Sequence, residues 1–201
     1  MSQQSPVRIA IFASGKGSNA KQLMSYFQES QEVEVSLLVS NRLSSGIFQS
    51  GPSFGVPTHL LPGTYHRDGK YLVELMRAYQ IRVLVLAGYL KLIPADFVHA
   101  FPNRIINIHP SLLPKHGGKG MYGAKVHQAV LDQGDEESGI TIHFVNEVYD
   151  QGKVIFQKSL PVDSNWNASQ LQSAIHQLEY DHFPQEVEKV CREILLEKDM
   201  S

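Results

Sequence analysis

The sequence predicts an α/β fold: one three-layer domain with a mostly parallel, twisted sheet, antiparallel strands in its C-terminal part and a C-terminal helix. Three observations carry this. Residues 7–13 and 81–87 are nearly continuous apolar runs of strand length, the pattern of strands buried on both faces, and residues 33–40 read as a further strand. Segments of helical period separate them through residues 7–100, which calls for parallel strands joined by right-handed crossovers. Late in the chain, residues 138–145 and 154–161 read as two strands with only a loop between them, which predicts a mixed sheet edge. The whole is Rossmann-like.

The elements justify themselves in order. Residues 1–6 are polar and are expected to form a disordered tail without the apolar core of a secretory signal. The first strand runs into Ser14-Gly15-Lys16-Gly17-Ser18-Asn19 and then a helix over 20–28. A second strand ends at Asn41-Arg42, and a short helix over 46–54 and a brief strand over 58–61 follow. Asp68 is placed to cap a helix whose apolar face is Tyr71, Leu72, Leu75, Met76 and Tyr79. After the strand at 81–87, Pro94 opens another short helix. Residues 105–109 alternate as a strand and stop at Pro110, which cannot donate to a ladder. A glycine-rich loop and a helix over 124–133 come next. The final helical stretch is expected to break near Pro184, and its second half aligns Val187, Val190, Cys191, Ile194 and Leu195 on one core face. Cys191 therefore reads as a core residue, not a nucleophile. No repeat or linker interrupts the chain, so 1–201 is one domain, with 7–100 as a phosphate-binding half and 101–201 as a catalytic half.

Composition excludes several classes. A net charge of −2 gives no broad basic surface for nucleic acid, and the apolar runs fall well short of the ~18 residues of a membrane span. A single cysteine rules out an internal disulfide and fits a cytoplasmic protein.

Two motifs carry chemistry. The first, Gly15-Lys16-Gly17-Ser18-Asn19-Ala20, fits the loose G-x-G-x-x-[GA] pattern between strand and helix, where backbone N–H groups can face an anion. Its second-strand tip, Ser40-Asn41-Arg42, lacks the carboxylate that would hold the ribose of a dinucleotide, although Arg42 suits a 2′-phosphate, so an NADP-dependent reductase stays open. Ser18 and Asn19 add side-chain donors, which favours a small phosphate monoester. The alternative is a tight turn with no ligand.

The second motif is the strand at 105–109. Its period of two puts Asn107 and His109 on one face and Ile106 and Ile108 on the other, at the carboxyl end of a strand, where ligands bind in open α/β sheets. Asp150, in the loop between the late strands, is expected to return to the same sheet end. A neutral amide donor, an imidazole and a carboxylate together suit an oxyanion intermediate. No Ser, Cys or Lys looks activated, so the substrate must bring its own nucleophile, such as an amine attacking an acyl or formyl carbon. The bland alternatives are strand-end hydrogen bonding for Asn107 and His109 and a turn role for Asp150. His109, His116, His127 and His143 lack clustered carboxylate or thiolate partners, so no metal site is expected.

These motifs, with 87–93 (Ala-Gly-Tyr-Leu-Lys-Leu-Ile), Asn107-Ile108-His109-Pro110-Ser111-Leu112-Leu113-Pro114, residues 134–139 and Asp150-Gln151-Gly152, occur in an order that strongly resembles the phosphoribosylglycinamide formyltransferase family. The resemblance spans about residues 7–197. It implies transfer of a formyl group from 10-formyltetrahydrofolate to the amine of glycinamide ribonucleotide, in purine synthesis, without metal. It also implies that Asn107, His109 and Asp150 are catalytic, that Gly17, Ser18 and Asn19 hold the ribonucleotide phosphate, and that Glu179 meets the polar glycinamide end. Folate contacts would come from Leu90, Lys91, Leu92 and Ile93, from Asn107, from the loop holding Asn146 and Val148, and from Arg67. Lys91 departs from the arginine common in that family, which loses a bidentate contact. The loop over 116–123 is longer and richer in glycine than usual. The partners implied are small molecules only, with no nucleic acid and no membrane, for a monomer or homodimer. Related formyl-folate enzymes (a hydrolase, a tRNA or sugar formyltransferase) and a non-catalytic binding module are the competing readings, and the chain's end at Ser201 is expected to leave no room for those relatives' extra domain.

Overall fold

A computed structural model of the protein describes residues 5–199, so the first four positions of the expected tail lie outside the described residues. Seven strands form one sheet in the order β3-β2-β1-β4-β5-β6-β7. The strands are β1 (Val7–Phe12), β2 (Val33–Ser40), β3 (Thr58–Leu60), β4 (Val83–Leu86), β5 (Ile105–His109), β6 (Glu137–Phe144) and β7 (Val154–Pro161). The first five are mutually parallel, and β6 runs antiparallel to both β5 and β7. The chain winds from β1 outward to β3, then crosses back to β4 beside β1. That reversal leaves a crevice at the carboxyl ends of β1 and β4, the place where such sheets bind ligands.

Alternation along the strands sends side chains into two cores. Ile9, Ile11, Leu38, Val85, Ile106 and Ile142 pack on one face with Leu23 and Phe27 of α1 (Ser18–Phe27) and Ile175, Phe183 and Val187 of α6 (Ala168–Asp199). Ala10, Phe12, Leu37, Leu84 and Ile105 pack on the other with Leu72 and Met76 of α3 (Gly69–Ala78) and Phe97 of α4 (Ala95–Ala100). Each fully buried large side chain contributes roughly 1.5–3 kcal/mol. Two further helices, α2 (Ile47–Ser53) and α5 (Ala124–Gln133), complete the layers. Asp68 caps α3 as expected, its Oδ1 accepting from Tyr71 N at 3.0 Å. Among the described residues no helix is long and apolar enough to cross a membrane.

The last helix corrects one expectation. It runs unbroken for 32 residues with Pro184 inside it. Proline removes one N–H and crowds the preceding turn, but Phe183, Val187, Val190, Cys191 and Ile194 on either side are all buried, and their packing on the sheet outweighs that local cost.

Candidate active site

A cavity of about 480 Å³ opens at the reversal point, lined by the loops after β1, β4, β5 and β6 and by α6. At one end is the glycine loop. Gly17 takes φ 75° as the N-cap of α1, whose first turn contains no carboxylate and no side-chain cap. The first N–H groups of the helix are thus left to face an anion. The loop is buttressed from behind: Gly46 N donates to Gly15 O at 3.0 Å, and a Cβ on Gly46 would lie 2.0 Å from Lys16 O. Ser14 Oγ ties three loops together, donating to Asn41 Oδ1 at 2.6 Å and accepting from Leu90 N at 3.1 Å.

Asn19 reaches across to the C-terminal helix, where its Nδ2 donates to Glu179 Oε2 at 2.9 Å. Glu179 is 5% exposed, and burial pushes its carboxyl up to about 7 against the opposing effect of the Asn19 hydrogen bond. An ionised carboxylate beside an uncapped helix N-terminus would repel an anion placed there, whereas a protonated one would not.

The catalytic candidates stand at the other end. Ile105, Asn107 and His109 share one face of β5, and beyond Ile105 that face opens into the cavity. Asn107 pairs in register with His143 of β6, and Asn107 Nδ2 lies 3.0 Å from His143 Nε2. His143 Nδ1 is 2.8 Å from Phe144 O, and a carbonyl only accepts. Hydrogen bonding therefore assigns the proton to Nδ1 and makes Nε2 the acceptor for the Asn107 amide. Burial lowers the His143 pKa, which keeps the ring neutral and this arrangement intact. One N–H of Asn107 is thus committed and its amide orientation fixed, leaving the second N–H for a ligand.

His109, 4% exposed, donates from Nε2 to the backbone carbonyl of His116 at 2.9 Å. Its Nδ1 then faces Asp150 Oδ2 at 3.6 Å, too long for a good hydrogen bond. Asp150 Oδ1 is also 3.8 Å from His143 Nε2, and Asp150 Oδ2 accepts from Gly118 N at 2.8 Å. Asp150 itself sits at φ 56°, a backbone conformation that aspartate tolerates better than most residues. Its approach differs from the expected simple return. Because β6 opposes β5, Phe144 lies beside Ile106 and Val145 N bonds Ile105 O, so the following loop must fold back to bring Asp150 to His109.

The structure gathers nearly all the sequence candidates. Gly17, Ser18, Asn19, Glu179, Asn107, His109, Asp150, Leu90, Lys91, Leu92, Ile93, Asn146 and Val148 all line the one cavity. Leu92 and Val148, 43% and 51% exposed, give its mouth an apolar rim. Arg67 is not brought in: it sits on a short 3-10 turn, Tyr65–Arg67, outside the lining. Three further histidines line the cavity, of which the sequence reading weighed His127 and His143 only as metal ligands and passed over His176. His143 was visible in the alternation of Thr141 and His143 with Ile140 and Ile142, which marks a polar face on β6. His127 of α5, 1% exposed, has an Nδ1 without a hydrogen-bond partner, and burial lowers it to about 4. His176 of α6 lies near enough to Lys16 to feel its charge, although burial is the larger cause of its lowered pKa. Nothing in their local sequence singles out His127 or His176.

The glycine loop and the amide–imidazole–carboxylate group thus line one crevice at the sheet's reversal point. The chain belongs to the formyl transferase family, which residues 7–187 match. Among its relatives are proteins named phosphoribosylglycinamide formyltransferase. The chloroplastic one of Arabidopsis thaliana is 41% identical over 192 residues, covering 92% of this chain. The chain spans 66% of that plant protein's length, just under two-thirds. The crystal structure of the Bacillus halodurans phosphoribosylglycinamide formyltransferase is 30% identical, with a TM-score of 0.82 over 91% of this chain and 94% of that one. Glycinamide ribonucleotide transformylase 1 from Symbiobacterium toebii is 28% identical, with a TM-score of 0.87 over 95% and 90%.

Proposed function

We propose that the protein transfers the formyl group of 10-formyltetrahydrofolate to the amine of glycinamide ribonucleotide. The observation that carries this is the convergence of Asn107, His109 and Asp150 on the cavity that the glycine loop also lines. The loop, with Gly17, Ser18 and Asn19, takes the phosphate, and Glu179 takes the polar part of the ribonucleotide nearby. The pterin of the folate lies against Leu90, Lys91, Leu92 and Ile93 and the loop of Asn146 and Val148, which supply apolar surface and backbone hydrogen-bonding groups.

The amine attacks the formyl carbon, forming the new C–N bond as the carbonyl π electrons move to oxygen. That oxyanion accepts the free N–H of Asn107 and a proton from Nδ1 of His109, because Nε2 is committed to the His116 carbonyl. The Asp150 carboxylate stabilises the imidazolium and accepts a proton released by the attacking amine. Collapse restores the carbonyl and returns the hydroxyl proton to Nδ1 of His109, while the bond to the folate nitrogen breaks and the proton that Asp150 took from the amine passes to that nitrogen. Donors held in place before the reaction are worth roughly 10²–10³ each in rate.

Incubating the protein with 10-formyltetrahydrofolate and following deformylated folate, with and without glycinamide ribonucleotide, tests the reading. Release that depends on the amine is expected. Equal release without it points to hydrolysis, and no release under either condition removes the transferase reading.

A further inference from the structure

We propose that His116 and Asp135, outside the cavity, form a positioning pair that orients both His109 and Asp150. The inference rests on the proposed formyl transfer for its kinetic consequence, but its geometry stands alone.

The segment 116–118 touches both halves of the catalytic pair through its backbone. The His116 carbonyl accepts from His109 Nε2 at 2.9 Å, which fixes the rotation of the ring and turns Nδ1 toward Asp150. Two residues on, Gly118 N donates to Asp150 Oδ2 at 2.8 Å, which aims the carboxylate at the ring. A rotation of this short segment therefore moves both partners at once. Its backbone is tightly wound: His116 has φ 53° and Gly118 φ 96°, and a Cβ on Gly117 would lie 2.5 Å from Leu113 Cδ2. A glycine-rich turn of this kind does not hold itself still.

The His116 side chain supplies the anchor. It is 4% exposed, and its Nε2 lies 2.6 Å from Asp135 Oδ2. Asp135 is in turn fixed to the end of α5, directly after the left-handed Gly134, with its own N–H donating to Val130 O at 3.2 Å. Its other oxygen accepts from the exposed Lys115 Nζ at 3.0 Å. The hydrogen bond from His116, more than that from Lys115, holds the Asp135 carboxyl below its ordinary range, so the carboxylate is ionised at neutral pH. Asp135 does not line the catalytic cavity, and the His116 ring lines the neighbouring hollow with Leu112, Glu136 and Ser138. Both act through the backbone they hold, without touching substrate.

The test uses His116→Asn, which keeps a residue tolerant of positive φ while removing the ring, and Asp135→Asn, which keeps shape while removing charge. Lys115→Ala serves as the control that trims only the exposed partner. Turnover should fall roughly ten- to a hundredfold in either single variant with both KM values little changed, and the double variant should be no worse than the weaker single one. The control should behave as wild type. In parallel, the ring ¹⁵N resonances of His109, assigned by their loss in His109→Ala, should shift in both variants and not in the control. Unchanged turnover with unshifted His109 resonances overturns the proposal, as does a loss of turnover and affinity together that merely follows lowered thermal stability. If the wild-type protein shows no formyl transfer, the proposed function fails, while the His109 resonances still decide the positioning.

Discussion

Single residues carry the chemistry, and their neighbours explain why. In the proposed reaction Asn107 donates from an amide that His143, neutral and fixed by Phe144 O, holds still. Replacing Asn107 or His109 with Ala should therefore lower turnover by at least about a hundredfold while both substrates still bind; stopped-flow binding beside steady-state rates separates the two effects. Glu179 gives a prediction about pH. Its folded carboxyl titrates near 7 and its unfolded one at the ordinary 4.5, so between these values the folded chain holds a proton that the unfolded chain has lost. Stability contributed by the neutral form is present below this window and falls as pH rises through it, by an amount on the order of 3 kcal/mol. Glu179→Gln should remove this decline, so that thermal melts at pH 5 and pH 8 differ less than in wild type; parallel curves would contradict the assignment. At this scale the sequence was readable wherever polarity broke a strand's alternation: Asn107 and His109 stood out, and His143 would have on the same rule. Asp150 was legible as a carboxylate returning to the same sheet end, but the fold-back that brings it to His109 depends on the β5–β6 register and was not.

Elements explain how those residues are held. The glycine loop is shaped as much by α2 behind it as by its own sequence. A side chain on Gly17 would meet Ile47 Cγ2 at 3.2 Å in a conformation that β-branched residues avoid, so Gly17→Val acts by twisting the loop. It should raise the KM for the ribonucleotide far more than that for the folate. Gly46→Ala forces a Cβ against Lys16 O and should produce the same asymmetry, with a lower melting temperature. Equal effects on both substrates would misplace the loop in the mechanism. Strand and helix positions were readable from periodicity because both faces of the sheet are covered. Pro184 was misread because a local rule cannot weigh the buried residues on either side of it, and Arg67 stood on a short turn that no periodicity locates.

The whole molecule joins two remote stretches of chain around one crevice. The 3-2-1-4-5 winding brings the loops after β1 and β4 together, and α6 packs back over the sheet to place Glu179 against Asn19, 160 positions away in sequence. Closure of that crevice depends on the core beneath α6: Phe183→Ala should cost about 3–5 kcal/mol in denaturant melts, and weaken ribonucleotide binding more than folate binding, since Glu179 rides on the same helix. Sequence alone supplied the fold class and the composition of the crevice; the contacts across it belong to the tertiary structure. The most direct test of the account follows the carbon itself. With 10-formyltetrahydrofolate labelled with ¹³C in the formyl group, NMR should show the label leaving the folate and appearing as an amide formyl on glycinamide ribonucleotide in equal amount, at least about a hundredfold more slowly in His109→Ala. Label that appears as free formate, or that stays on the folate while both substrates are bound, contradicts it.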